Sequence, residues 1–130
     1  MLQPILRATT GLAGAGLVFL GLLALLVPMR LMPHVGLESP EALGLNFMRG
    51  DVAASLGLIG LLALRAALAG DGRRLDIPLA WACLVIVGRL LGLVLDDGAM
   101  AHASALVPGL LLFALMMPAR LWLRPAGAAA

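Results

Sequence analysis

The sequence contains no lysine, a single cysteine and few charged residues. Charged residues make up 12% of the 130 positions, and all nine basic residues are arginine. Soluble domains carry roughly 25% charged residues, so this chain lacks the polar coat that a soluble core of its size needs. The basic residues do not cluster with aromatic ones, and no nucleic-acid partner is therefore expected. Cys83 cannot form an internal disulfide and is expected to be a small, buried hydrophobic residue.

Hydrophobic residues dominate the composition instead. They make up 62% of the chain, and the mean hydropathy is +1.07. Soluble domains contain only about 45–50% apolar residues. This composition predicts an all-α integral membrane protein with one membrane domain.

Apolar runs separated by helix breakers predict a bundle of four transmembrane helices joined by short loops. The predicted helices span about residues 8–27, 40–69, 77–95 and 101–123. Each run can cross a hydrocarbon core of about 30 Å. The second begins with a capping serine, a proline and an acid at Ser39, Pro40 and Glu41. Residues 1–125 are thus expected to form one transmembrane domain, followed by a flexible alanine-rich tail, residues 126–130.

The arginines predict the orientation of these helices. Those expected on the same side as the termini are Arg7, Arg65, Arg73, Arg74, Arg120 and Arg124, against Arg30 and Arg49 on the other side. Cytoplasmic loops carry the excess of basic residues, so both termini are predicted to be cytoplasmic. Trp81 and Trp122 fall at the cytoplasmic ends of their helices, where interface anchors are expected.

Charged residues near the apolar runs are the strongest functional signal. The predicted intramembrane polar cluster consists of Asn46, Arg49, Asp51, Arg89, Asp96 and Asp97. Placing Arg or Asp near the centre of a membrane helix costs about 2.5–3.5 kcal/mol, so these groups need partners or water. Asp51 and Arg89 each lie roughly 10 Å from the same membrane face, which predicts an ion pair between the second and third helices. Two interpretations remain: a structural pair that locks the bundle, or an ion, proton or headgroup site with Arg49 holding a lipid headgroup.

Other residues give weaker signals. His34 and His102 lie near acids on the outer side, but their spacing fits no compact ligand motif, so neither a metal nor a haem is predicted. No catalytic triad, phosphate loop or Cys-x-x-Cys motif is recognisable, which favours a non-enzyme with no cofactor apart from bound lipid. Gly57, Gly88 and Gly92 are expected to be positions where helices pack closely.

Several of these landmarks form one pattern. They are Pro28, Asn46, Arg49 with Gly50, Gly57, Gly88 with Arg89, and Asp97 with Gly98. The pattern resembles the small four-helix bacterial membrane proteins catalogued as domain of unknown function 4345. The resemblance implies a four-helix fold in the bacterial inner membrane and implies no activity. In that family an aromatic residue and glycines often follow the first arginine, whereas Asp51 and Val52 stand here, so a site shared by the family is altered in this chain.

The expected function is that of a non-catalytic accessory or scaffolding subunit of a larger membrane complex. Its partners would be membrane lipid and either other membrane subunits or further copies of the chain. Two alternatives remain open. One is a small transporter or ion- or proton-conducting protein, and the other is a lipid- or quinone-binding protein; both would use an outward-facing cluster of Arg49, Asp51 and Arg89.

Overall fold

The structure is a computed structural model, and it describes residues 2–35, 42–95 and 106–123. The α-helices are α1 (Leu2–Leu26), α2 (Pro28–Leu31), α3 (Ala42–Phe47), α4 (Ala53–Ala69), α5 (Asp76–Leu95) and α6 (Leu106–Trp122). A π-helical turn, Met48–Val52, joins α3 to α4, and two 3-10 turns span Met32–Val35 and Gly72–Leu75. The predicted all-α class is confirmed for the described residues.

The long helices lie where the apolar runs predict them, with differences at the ends. The first helix begins at Leu2 rather than near residue 8, since Pro4 is tolerated in a first helical turn. Short α2 adds a helix that the four-helix prediction did not include. The expected cap at residues 39–41, the start of the fourth helix at 101–105 and the tail at 126–130 lie outside the described residues.

The break after α1 follows from proline chemistry. Pro28 has no amide hydrogen and occupies the first position of α2. A proline also disfavours the helical conformation in the residue before it. Val27 accordingly has φ −132° and ψ 55°, outside the helical region, and α1 ends at Leu26.

The end of α4 follows from glycine chemistry. Gly70 has φ 63°, a left-handed conformation that glycine adopts without steric cost. Its amide donates to the carbonyl of Ala67, and the amide of Asp71 donates to that of Ala66, as in a Schellman cap. The Asp71 carboxylate then accepts from the amide of Arg73 at 3.1 Å. The chain therefore reverses direction tightly between α4 and α5.

Among the described helices, α1 and α4 make the most extensive contact. A side-chain carbon on Gly14 would lie 2.8 Å from the carbonyl oxygen of Gly60, and one on Gly60 would lie 2.7 Å from that of Gly14. Towards the other end, one on Gly21 would lie 2.9 Å from the amide nitrogen of Gly57. Only glycine allows two helix backbones to approach this closely. The order of the contacts makes α1 and α4 antiparallel.

Among the described residues, most of the buried apolar side chains fall into two separate clusters. The larger one lies at the end of the molecule that contains the α4–α5 turn, and it comprises Leu6, Ala63, Ala66, Leu75, Leu79, Met116, Ala119 and Leu123. The smaller one lies at the opposite end, and it comprises Ala24, Met32, Met48 and Ala53. We call these ends the turn end and the break end, after the α4–α5 turn and the break that follows α1.

In the part of the chain that the structure describes, three helical segments are long and apolar enough to cross a membrane. They span Leu2–Leu26, Gly44–Ala69 and Gly72–Gly92, while the apolar helix Leu106–Trp122 is shorter. Large apolar side chains on the long helices are exposed, among them Leu12, Leu68 and Val94. Cys83 is exposed too, contrary to the expectation that it is buried. The fold therefore presents an apolar surface along its long helices.

Candidate functional site

The first part of the predicted polar cluster lies on α3 and the π-helical turn. In that turn the amide of Ala53 donates to the carbonyl oxygens of Gly50 and Met48, so the helix is locally wider than an α-helix. Met48 is fully buried, whereas Arg49 and Asp51 are exposed. Single π turns within α-helices occur frequently at functional sites. Asn46, in α3, is exposed as well.

Arg49 contacts the end of α1. Its Nε donates to the carbonyl oxygen of Leu25 at 3.4 Å. Carbonyl groups in the last turn of a helix have no partner within that helix, and a positive charge there also interacts favourably with the helix dipole. Arg49 therefore caps α1 at the break that Pro28 introduces.

The predicted ion pair between Asp51 and Arg89 is not formed. Among the described residues, the ion pairs within 4.0 Å are Arg74 with Asp71 and Arg120 with Asp76. The prediction was wrong because equal depth in a membrane sets the height of two side chains but not the direction in which each helix face points. The small face of α4 points to α1, and α5 packs mainly against α6.

The predicted packing glycines have different surroundings. Gly57 lies at the α1–α4 contact, where its backbone approaches Gly21. Side-chain carbons on Gly57 and on Gly88 would each meet no described atom within 4 Å, so the space beside both residues is open, although the backbone of Gly57 contacts α1. Gly92 is half-buried. Sequence spacing alone did not identify Gly14 and Gly60 as the closest pair.

The remaining candidate residues divide between described and undescribed parts of the chain. Asp96, Asp97 and His102 lie outside the described residues. His34 is exposed, and its Nδ1 is 3.2 Å from the carbonyl oxygen of Arg30 one helical turn earlier. Within residues 2–35, 42–95 and 106–123, no group of three His, Cys, Asp or Glu residues could hold a metal ion.

A cavity of about 290 Å³ opens at the break end. It is lined by Leu26, Val27, Pro28, Met29, Arg30, Leu45 and Arg49. Two arginines therefore share one small cavity with the irregular backbone that follows α1. The guanidinium of Arg49 therefore lies beside a space that an anion can enter. The contact of Arg49 with a lipid headgroup stays a prediction.

A second cavity lies at the turn end, and it was not predicted from the sequence. Its volume is about 390 Å³, and it is lined by Leu62, Arg65, Arg73, Arg74, Asp76 and Ile77. From the sequence alone, these three arginines predict only the orientation of the helices. Their closeness to the α4–α5 turn was the signal that could have identified this site, because a tight turn brings the end of one helix beside the start of the next.

Polar contacts join parts of the chain at the turn end that are distant in sequence. Arg120 on α6 forms an ion pair with Asp76 at the start of α5, with Nε and Nη2 donating to the two carboxylate oxygens. The amide of Gly72 donates to the carbonyl of Leu123 at 3.2 Å. The side chain of Gln3 donates to the carbonyl of Trp122 at 2.6 Å. The start of α1, the α4–α5 turn and the end of α6 are therefore held together.

In comparisons with protein-family models, with curated proteins and with solved structures, no match to this chain was found. The resemblance to the four-helix bacterial family stays a prediction.

Proposed function

We propose that the protein is a non-catalytic, multi-pass membrane protein that docks against another membrane protein through α5. The observation that carries the proposal is the exposure of residues 87–91, which include Gly88 and Arg89. Five consecutive residues cover the whole circumference of an α-helix. This part of α5, which we call the exposed α5 segment, therefore has no covering neighbour within the described residues.

Membrane insertion is supported by the apolar helices and by the distribution of arginines. Arg7 lies near the turn end with the arginines of the turn-end cavity, and its Nη2 is 3.4 Å from the carbonyl of Leu68. Arg30 and Arg49 lie at the break end. The turn end therefore carries the basic excess expected of a cytoplasmic face. This arrangement fits a protein of the bacterial inner membrane with both termini in the cytoplasm.

Arg89 is the reason why the exposed α5 segment needs a partner. It lies about 20 Å along the helix from Asp76, among exposed apolar residues. An arginine facing lipid away from the interface costs about 2.5–3.5 kcal/mol unless it meets an acid, a polar group or water. No acid among the described residues lies within 4.0 Å of it. An acidic or polar group on a partner helix would remove this cost.

Gly88 allows a partner helix to pack closely against the same segment. The space beside it is open, so a partner helix can approach the α5 backbone as closely as α1 approaches α4. The partner is either another membrane subunit or a second copy of the chain. In a second copy, the exposed Asp51 is a suitable acid.

Mild detergent extraction followed by native electrophoresis tests this proposal. The wild-type chain should migrate with a larger partner, and Gly88→Leu and Arg89→Leu should each release it as a smaller species. Gly16→Leu is the matched control, because Gly16 on α1 also has open space beside it. A wild-type chain that migrates alone, or equal release by Gly16→Leu, would contradict docking through α5. Snorkelling of Arg89 to lipid phosphates would give the first of these outcomes.

The break-end cavity favours a second candidate function, transport or binding of a small anion. Arg30 and Arg49 line this cavity together. A purified protein in liposomes would then show an anion flux that Arg30→Gln lowers. The absence of any flux in wild-type liposomes would exclude this alternative.

A further inference from the structure

We propose that the turn-end cavity binds the phosphate group of an anionic membrane lipid. The cavity combines guanidinium groups with two apolar side chains, Leu62 on α4 and Ile77 on α5. The proposal rests on the membrane insertion argued above and does not depend on a protein partner. It assigns a ligand to Arg65, Arg73 and Arg74, which were so far used only to predict the orientation in the membrane.

The charge balance of the cavity favours an anion. Three arginines line it against a single carboxylate, that of Asp76. This carboxylate is already engaged by Arg120, which approaches from α6 and does not line the cavity. The negative charge of Asp76 is therefore neutralised by a residue outside the cavity. The three arginines give the cavity itself a positive charge.

The arginines of the cavity retain donors for a ligand. Arg74 has one acidic neighbour, with its Nε 3.6 Å from Asp71. Arg65 and Arg73 have no acid within 4.0 Å among the described residues. A guanidinium group presents five N–H donors and binds phosphate oxygens in pairs. Two arginines that share a cavity can thus hold one phosphate group from two sides.

The apolar part of the cavity indicates a lipid rather than a soluble phosphate. Ile77 is 61% exposed at the start of α5. Because α4 packs along α1 and α5 packs against α6, these two consecutive helices contact each other less, and an apolar surface lies open beside the cavity. Acyl chains can lie on that surface while the headgroup meets the arginines. The excess of arginines at this end favours a position in the cytoplasmic leaflet, and that leaflet carries anionic lipids.

Lipid titration of the purified full-length chain, read by native mass spectrometry, tests the site. The probes are phosphatidylglycerol, phosphatidylcholine and glycerol 3-phosphate. Phosphatidylglycerol should bind at least about tenfold more tightly than either of the other two. Each arginine near an anionic headgroup contributes a factor of about five, so the Arg65→Gln and Arg73→Gln double variant should lose about 30-fold in affinity.

The matched control removes two arginines from the break-end cavity. The Arg30→Gln and Arg49→Gln double variant should keep its affinity for phosphatidylglycerol within about twofold. Equal losses in the two double variants would mean a general effect of net charge and would overturn the assignment. A loss in the control alone would assign lipid binding to the break-end cavity and overturn the turn-end assignment. Unchanged binding in the turn-end variant would overturn the proposal as well.

Two further readouts separate the outcomes. Glycerol 3-phosphate that binds as tightly as phosphatidylglycerol would show a soluble phosphate ligand and contradict the lipid. If the double variant does not elute as a single species, Arg65→Gln and Arg73→Gln alone carry the test, with losses of about fivefold each. The assay contains no second protein, so its result does not depend on whether α5 docks against a partner. A chain that stays in solution without detergent would instead contradict membrane insertion itself.

Discussion

The α1–α4 contact and the exposed α5 segment use the same residue type in opposite ways. Gly14 and Gly60 bring two backbones within van der Waals contact, whereas the space beside Gly88 is open. All three lie in apolar helices, and the absence of a side chain does not by itself distinguish them. The difference shows that a small residue in such a helix marks a surface for close approach, and that the surface is either occupied within the chain or available to a partner.

The largest effect is expected from filling the occupied surface. Gly60→Leu would push α1 away from α4, because even the first side-chain carbon would lie 2.7 Å from the carbonyl of Gly14. We expect a loss of about 3 kcal/mol or more in the free energy of unfolding, at the upper end of overpacking effects. Unfolding of the purified chain in a denaturing detergent, followed by circular dichroism, measures it.

Gly88→Leu is the matched control, since it makes the same change on the open surface. Its unfolding free energy should stay within about 0.5 kcal/mol of wild type. Equal losses in the two variants would remove the distinction between an occupied and an available surface.

A smaller effect is expected at the start of α5, where an ion pair joins this helix to α6. The ion pair of Arg120 with Asp76 is partly exposed to solvent. Exposed pairs contribute about 0.2–1 kcal/mol, and salt screens them. A double-mutant cycle with Arg120→Gln and Asp76→Asn should give a coupling energy in this range that falls as salt is raised. A coupling above about 2 kcal/mol would show that α5 depends on this pair more than its exposure implies.

The smallest effect is expected between Asp51 and Arg89. Because these side chains form no ion pair with each other, Asp51→Asn and Arg89→Leu should change the unfolding free energy additively, within about 0.5 kcal/mol. The same detergent unfolding experiment measures the cycle. A clear coupling would restore the ion pair that sequence reasoning predicted and would bring α4 and α5 together in the middle of the fold.

The sequence predicted the helices well because their determinants are local. Apolar runs specify the long helices, Pro28 ends α1, and Gly70 ends α4. The rotation of each helix could not be predicted, because it depends on which face finds a complementary surface elsewhere in the chain. The pairing of Gly14 with Gly60 is such a long-range choice, and it turns α4 towards α1.

The candidate sites were predictable to a lesser degree. Arg49 was singled out from its position in an apolar helix, but it contacts the Leu25 carbonyl from within a π-helical turn, which has no simple sequence signal. The turn-end cavity could have been anticipated, since Arg73 and Arg74 lie in the turn that follows Arg65. The arginines were interpreted only as topology signals, and their shared cavity became visible with the fold.

Photocrosslinking in native membranes tests docking through α5 most directly. Leu91 in the exposed α5 segment and Leu61 on α4 are both 54% exposed, so a photoreactive amino acid at each position is a matched pair of probes. The account predicts that the probe at 91 gives one protein adduct of defined mass, which Arg89→Leu abolishes, while the probe at 61 reacts with lipid. Lipid adducts alone at both positions, or a defined protein adduct at 61 and none at 91, would contradict it.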